Sequence, residues 1–109
     1  MAKLRHIALS VPDPEKAADF YCDAFDMERV GKTDSPLARG CYVSDGTITV
    51  ALLAYKTNKW AGYVEGEDER GKEWQGIHHM GFWVDDIDET EKKIEAAGGK
   101  YFQGRPDTD

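Results

Sequence analysis

Apolar residues recur along this chain with two periods, and the order in which those periods alternate predicts its elements. Leu4–Val11 (LRHIALSV) is a short apolar run rich in strand formers. Pro12-Asp13-Pro14 closes it, since proline cannot continue a hydrogen-bonded ladder. Asp13 then suits a helix N-cap and Pro14 the first helical position. Ala17, Tyr21, Ala24 and Phe25 recur at helical spacing and form one apolar face, and the helix is over before Gly31. Three extended segments follow: Met27–Lys32, Leu37–Ser44 and Thr47–Tyr55. Asp45-Gly46 between the last two is a strong signal for a two-residue hairpin turn. The first half of the chain therefore reads β-α-β-β-β.

Residues 56–76 interrupt this pattern with a polar, charged stretch that reads as a linker. Its tryptophans, Trp60 and Trp74, are expected to cover an edge of the core. Beyond it the opening unit starts again. His79–Asp86 (HMGFWVDD) overlays His6–Asp13 (HIALSVPD) with an offset of 73 residues, keeping the histidine, the apolar alternation and the aspartate at the helix start. A second helix follows Asp86, with Glu89 as capping-box partner, Ile87, Ile94 and Ala97 on its apolar face, and Gly98-Gly99 as its stop. Lys100–Gly104 is expected to form the next strand. The organisation predicted is one domain over residues 1–109, with module one at 4–55, the linker at 56–76 and module two at 77–109. On this count module two lacks at least two strands, to be supplied by a further segment of the protein or by a neighbouring chain.

Strand alternation also assigns faces. His6, Ala8 and Ser10 point to one side of the first strand and Ile7, Leu9 and Val11 to the other, and the helix should cover the more apolar set. In the second copy His79, Gly81 and Trp83 share one side, while His78 joins Met80, Phe82 and Val84 on the other. One histidine on a strand needs no special reading, but two at equivalent repeat positions do: an apolar hollow has little reason to hold two polar rings without a partner. His78, the counterpart of Arg5, reads as a strand-end residue that is hydrogen-bonded or solvated.

Composition narrows the function classes. With 40% hydrophobic and 32% charged residues, the 109-residue chain is a folded domain rather than a disordered one. Its net charge of -7 argues against nucleic acid and anionic membranes as partners, because no broad basic surface exists to meet phosphates. No apolar run approaches the ~20 residues that span a bilayer, and the first residues lack the apolar core of a signal peptide. A cytoplasmic location is expected. Cys22 and Cys41 have no CxxC spacing and read as reduced, partly buried thiols.

RHIALSVPDPEKAADFYCDAF with its continuation DMERV, and GIHHMGFWVDDIDETEKKIEAAGG in the second copy, resemble the vicinal oxygen chelate superfamily. That group contains glyoxalase I, methylmalonyl-CoA epimerase, extradiol dioxygenases, fosfomycin-modifying transferases and bleomycin-resistance proteins. The resemblance implies an α+β fold in which paired βαβββ modules form a curved mixed sheet, a cup with helices on its convex side, the second module being incomplete in this chain. It implies that His6 and His79 ligate a divalent metal ion (Zn, Ni, Fe, Mn or Co), imidazole being a favoured ligand for Zn, Fe, Ni and Co. The activity implied is that of a metal-dependent lyase, isomerase or dioxygenase acting on a small substrate with vicinal oxygens.

Glyoxalase I-like relatives place a glutamate on the fourth strand of module one, where matching TVALLAY puts Leu52, which cannot coordinate. A carboxylate from beyond Asp109 would complete a two-histidine, one-carboxylate site. Leu52, Trp83, Tyr42 and Arg39 are the expected pocket residues, and no acidic residue falls on the concave face to act as general base. The alternative is a metal-free drug-binding protein of the bleomycin-resistance type, which Leu52 and the acidic balance favour and the paired histidines oppose. A homodimer is expected in either case, since the modules leave sheet edges open.

Overall fold

The computed structural model describes residues 1–58 and 71–101. In chain order its elements are β1 (Lys3–Ser10), α1 (Pro14–Phe25), β2 (Glu28–Asp34), β3 (Ala38–Ser44), β4 (Thr49–Tyr55), β5 (Gly76–Trp83) and α2 (Ile87–Ala96). The fold is α+β, with the βαβββ order expected of module one followed by a second strand–helix unit. Leu4–Phe82 form one compact unit, and Met1–Lys3 with the chain from Trp83 onward form a second.

In the first unit the strands lie in the order β2-β3-β4-β1-β5. β1 runs parallel to β4, with His6 beside Thr49, Ala8 beside Ala51 and Leu9 beside Leu52. β3 is antiparallel to both of its neighbours, so the sheet is mixed. A bulge between Arg29 and Gly31 sets Val30 outside the β2–β3 register. The expected Asp45-Gly46 turn is longer than two residues, because Ser44 already pairs with Thr49 and leaves Asp45–Ile48 as the connection. Asp45 organises it by accepting the backbone N–H groups of Thr47 and Ile48 at 2.8 and 2.7 Å, the local bonding that makes aspartate a turn former.

α1 begins as its sequence dictates. Asp13, extended, accepts the Lys16 N–H at 3.2 Å, Pro14 follows, and Asp26 ends the helix in the left-handed conformation. The stripe it buries differs from the expected Ala17, Tyr21, Ala24 and Phe25. Pro14 and Ala18 are fully buried, Ala17, Tyr21 and Cys22 partly so, and Ala24 and Phe25 lie exposed. Ala18 is the reason: a methyl at the helix centre lets the backbone approach Cys41, Val43 and Leu52, which fixes the helix rotation and turns Phe25 outward. Leu9, Val11, Met27 and Val50 pack around this core, so the helix covers the Leu9 face of β1 as the alternation requires. Burying Leu52 and Val43 stabilises the fold by roughly 1.5–3 kcal/mol each.

In the second unit α2 repeats the capping of α1: Asp86 accepts the Glu89 N–H at 3.0 Å, and Gly98, at φ 101°, follows the last turn. The Met1 ammonium pairs with Asp85. No residue of α2 is buried, and Ile87 and Ile94 are 59% and 53% exposed. Lys100 and Tyr101 are not in a strand, and the rest of the expected strand to Gly104 lies outside the described residues. So do Trp60 and most of the expected linker, whereas Trp74 is half-buried with its ring against Gly76.

Candidate metal centre

The face of the sheet opposite α1 is built by small residues carrying a few large polar rings. Parallel register places Thr49, Ala51 and Leu53 on the same side as His6, Ala8 and Ser10, and Tyr42 joins them through its pairing with Ala51. Ala8, Ala51 and Ser10 are buried and make the floor. Gly81 lies close to His6: a Cβ there would stand 3.2 Å from the His6 Cβ, so a larger residue would push the histidine back by a few tenths of an ångström.

On this floor the two repeat histidines meet. His6 Nε2 and His79 Nε2 are 3.2 Å apart, with ring centroids at 5.1 Å and planes inclined by 30°. Imidazole nitrogens bind zinc-class ions at about 2.0–2.1 Å, so two of them on one ion stand roughly 2.9–3.4 Å apart for bond angles between octahedral and tetrahedral. The observed spacing fits that range. It also fits one imidazole N–H donating to the other ring when no ion is present. Burial, reinforced by His78 and His6 nearby, holds the His79 imidazole below its ordinary 6.5. A depressed value keeps the ring neutral near pH 7, the form that ligates. Among the described residues no three or more His, Cys, Asp or Glu are arranged so that they could hold a metal ion together.

His78 joins this cluster. Its Nδ1 lies 2.7 Å from His79 Nδ1 and 3.3 Å from the Tyr55 hydroxyl, and its ring packs against Tyr55 at a centroid distance of 4.8 Å. Burial raises the Tyr55 hydroxyl pKa, with Tyr42 adding to the effect.

The expected pocket residues fare differently. Leu52 is fully buried beneath α1, one residue out of phase with the histidine face, because Leu9 is its partner in β1. The expectation that it lines the pocket is corrected: Ala51, Leu53 and Tyr55 hold the positions on that side of β4. Arg39 is also on the α1 side, sharing the phase of Cys41 and Val43 along β3. It lines a cleft of about 250 Å³ with Glu15, Lys32, Asp34 and Cys41. Lys32 and Arg29 each lie 3.0 Å from Glu15, and together with the Cys41 thiol they hold its carboxyl down at about 2. Burial pushes the Cys41 thiol up, away from the thiolate form that reacts. Tyr42 keeps the expected face, and Trp83 is 73% exposed at the end of β5. Tyr55 was legible in the alternation of TVALLAY once Leu52 is assigned to the core.

The comparisons with known proteins bear on this arrangement. The model of the glyoxalase/bleomycin resistance protein/dioxygenase superfamily matches residues 3–109. The chain belongs to this superfamily. A Synechocystis protein described as a "probable lactoylglutathione lyase" is 30% identical over 104 residues, covering 92% of this chain and 73% of that protein. The fold of a hypothetical protein from Bacillus halodurans C-125 matches with a TM-score of 0.69 at 22% identity, covering 89% of this chain and 69% of the other. A variant of methylmalonyl-CoA epimerase from Streptomyces coelicolor, solved in complex with 2-nitronate-propionyl-CoA, matches with a TM-score of 0.63 at 21% identity, covering 88% and 69%. Within the superfamily, this chain carries its two repeat histidines on neighbouring strands of one sheet. No helix among its described residues is long and apolar enough to cross a membrane.

Proposed function

We propose that the protein is a metal-dependent enzyme of this superfamily, of lyase, isomerase or dioxygenase type, acting on a small substrate with two adjacent oxygens. The observation that carries this reading is the 3.2 Å approach of His6 Nε2 to His79 Nε2. These two residues would hold the divalent ion (Zn, Ni, Fe, Mn or Co), and a carboxylate from outside the described residues would complete the set. A bound ion of this kind polarises substrate oxygens as a Lewis acid. The chain's own contribution is positional. Gly81 leaves room for the His6 ring, and the depressed pKa of His79 keeps that ring neutral. Tyr42 is the proposed pocket residue on the histidine side of the sheet. The relatives' names, a lactoylglutathione lyase and an epimerase of a coenzyme A thioester, support a small oxygenated substrate. A cytoplasmic homodimer completes this reading.

Purified protein incubated with Zn, Ni or Co and then desalted should retain about one equivalent per chain, and less than about a tenth of an equivalent of each would overturn the proposal. That negative outcome would favour the second reading, a metal-free binding protein of the bleomycin-resistance type. One observation supports it: the histidine side of β4 offers Thr49, Ala51, Leu53 and Tyr55, none of them a carboxylate.

A further inference from the structure

His79 has two ring nitrogens, and the structure occupies both. Nε2 faces His6, and Nδ1 lies 2.7 Å from the Nδ1 of His78. A neutral imidazole carries one proton, so one of its nitrogens donates and the other accepts. If Nε2 is the ligand atom, its lone pair must be free and the proton must sit on Nδ1. The nitrogen placed to accept that proton is His78 Nδ1.

We infer that His78 is a positioning residue for His79: its Nδ1 accepts the Nδ1–H of His79 and so turns the His79 Nε2 lone pair toward His6. Tyr55 holds the acceptor ring in place by packing on its face, at 4.8 Å and 33°. The inference rests on the proposed role of His79 Nε2 as a ligand atom. It adds a function for the first histidine of the pair, which sequence alternation set on the opposite face. The reverse order, with His78 Nδ1–H donating to His79 Nδ1, would put the proton on His79 Nε2 and block it as a ligand. Partners of this kind to ligating histidines typically change metal affinity about 10–100-fold when removed.

Tautomers are read directly from ring nitrogen shifts by two-bond ¹H–¹⁵N correlation NMR. The experiment uses the metal-free chain at about pH 8, above the ordinary histidine range near 6.5. His79 in the unsubstituted protein should carry its proton on Nδ1. In His78→Phe, which keeps a ring against Tyr55 but removes the acceptor, the Nε2–H form should become populated and Co(II) affinity should fall about 10–100-fold. In His78→Asn, whose amide oxygen can take the place of Nδ1, the Nδ1–H form and most of the affinity should return. A purely structural role would not follow this order.

Finding the Nε2–H form in the unsubstituted protein overturns the inference, and so does a His78→Phe protein that keeps the Nδ1–H form. The unsubstituted spectrum decides the matter even where a variant fails to fold. Failure of the unsubstituted protein to bind Co(II) at all would overturn the proposed function and leave the tautomer result to decide the positioning role by itself.

Discussion

In the first copy of the repeat Asp13 caps α1 through the Lys16 N–H; in the second Asp86 caps α2 through the Glu89 N–H. Both helices are amphipathic by sequence, and each follows a strand carrying a histidine at the same position. Yet α1 buries Pro14 and Ala18 completely, whereas α2 buries no residue and leaves Ile87 and Ile94 more than half exposed. The difference separates two kinds of instruction in a sequence. A cap is satisfied within four residues and forms wherever its residues occur. Burial needs a surface supplied from elsewhere, and for α1 that surface is β3 and β4 with Cys41, Val43 and Leu52.

The largest effect expected from this contrast is on stability. Leu52→Ala should cost about 2–5 kcal/mol, while Ile94→Ala, at an exposed position, should stay within about 0.5 kcal/mol. Urea unfolding of both variants checks this, and equal losses would break the contrast. Asp13→Ala and Asp86→Ala should each cost about 1 kcal/mol, because both caps satisfy an end-of-helix N–H. Amide hydrogen exchange should show each loss confined to its own helix.

Gly81→Ala should cost about 1 kcal/mol or less, near the low end for overpacking, since the His6 ring beside it is only half-buried. Its larger signature is local, a displaced His6 resonance in the NMR spectrum. The smallest effect is on pH dependence. The folded-state pKa of His79 lies below the unfolded 6.5, so its contribution to stability is complete above that value and diminishes as pH falls from 6.5 toward the folded value. The urea midpoint should therefore drop between about pH 7.5 and pH 5.5, and His79→Gln should remove that component. A midpoint that rises on acidification would contradict the assignment.

Much of this was legible before the structure. The repeat offset, both aspartate caps and the face of His6 follow from local spacing, and the structure brings the two histidines together as that spacing requires. Leu52 and Arg39 were misplaced because strand alternation gives two phases and does not say which one meets the helix; only the packing of Ala18 on Leu52 and Cys41 decides it. The turn after Ser44 departs from the two-residue pattern because the side chain of Asp45 accepts two backbone N–H groups and organises a longer connection. The approach of His78 to Tyr55 joins β5 to β4 across a strand that lies between them, a juxtaposition no local pattern encodes.

The most direct test of the central claim, that His6 and His79 grip one ion, is a Co(II) titration of the unsubstituted chain, His6→Ala, His79→Ala and the double variant, followed by visible absorption. A shared ion predicts that each single substitution weakens binding nearly as far as the double, the non-additivity of two groups acting on one partner. A single substitution that leaves Co(II) affinity and spectrum unchanged would contradict it.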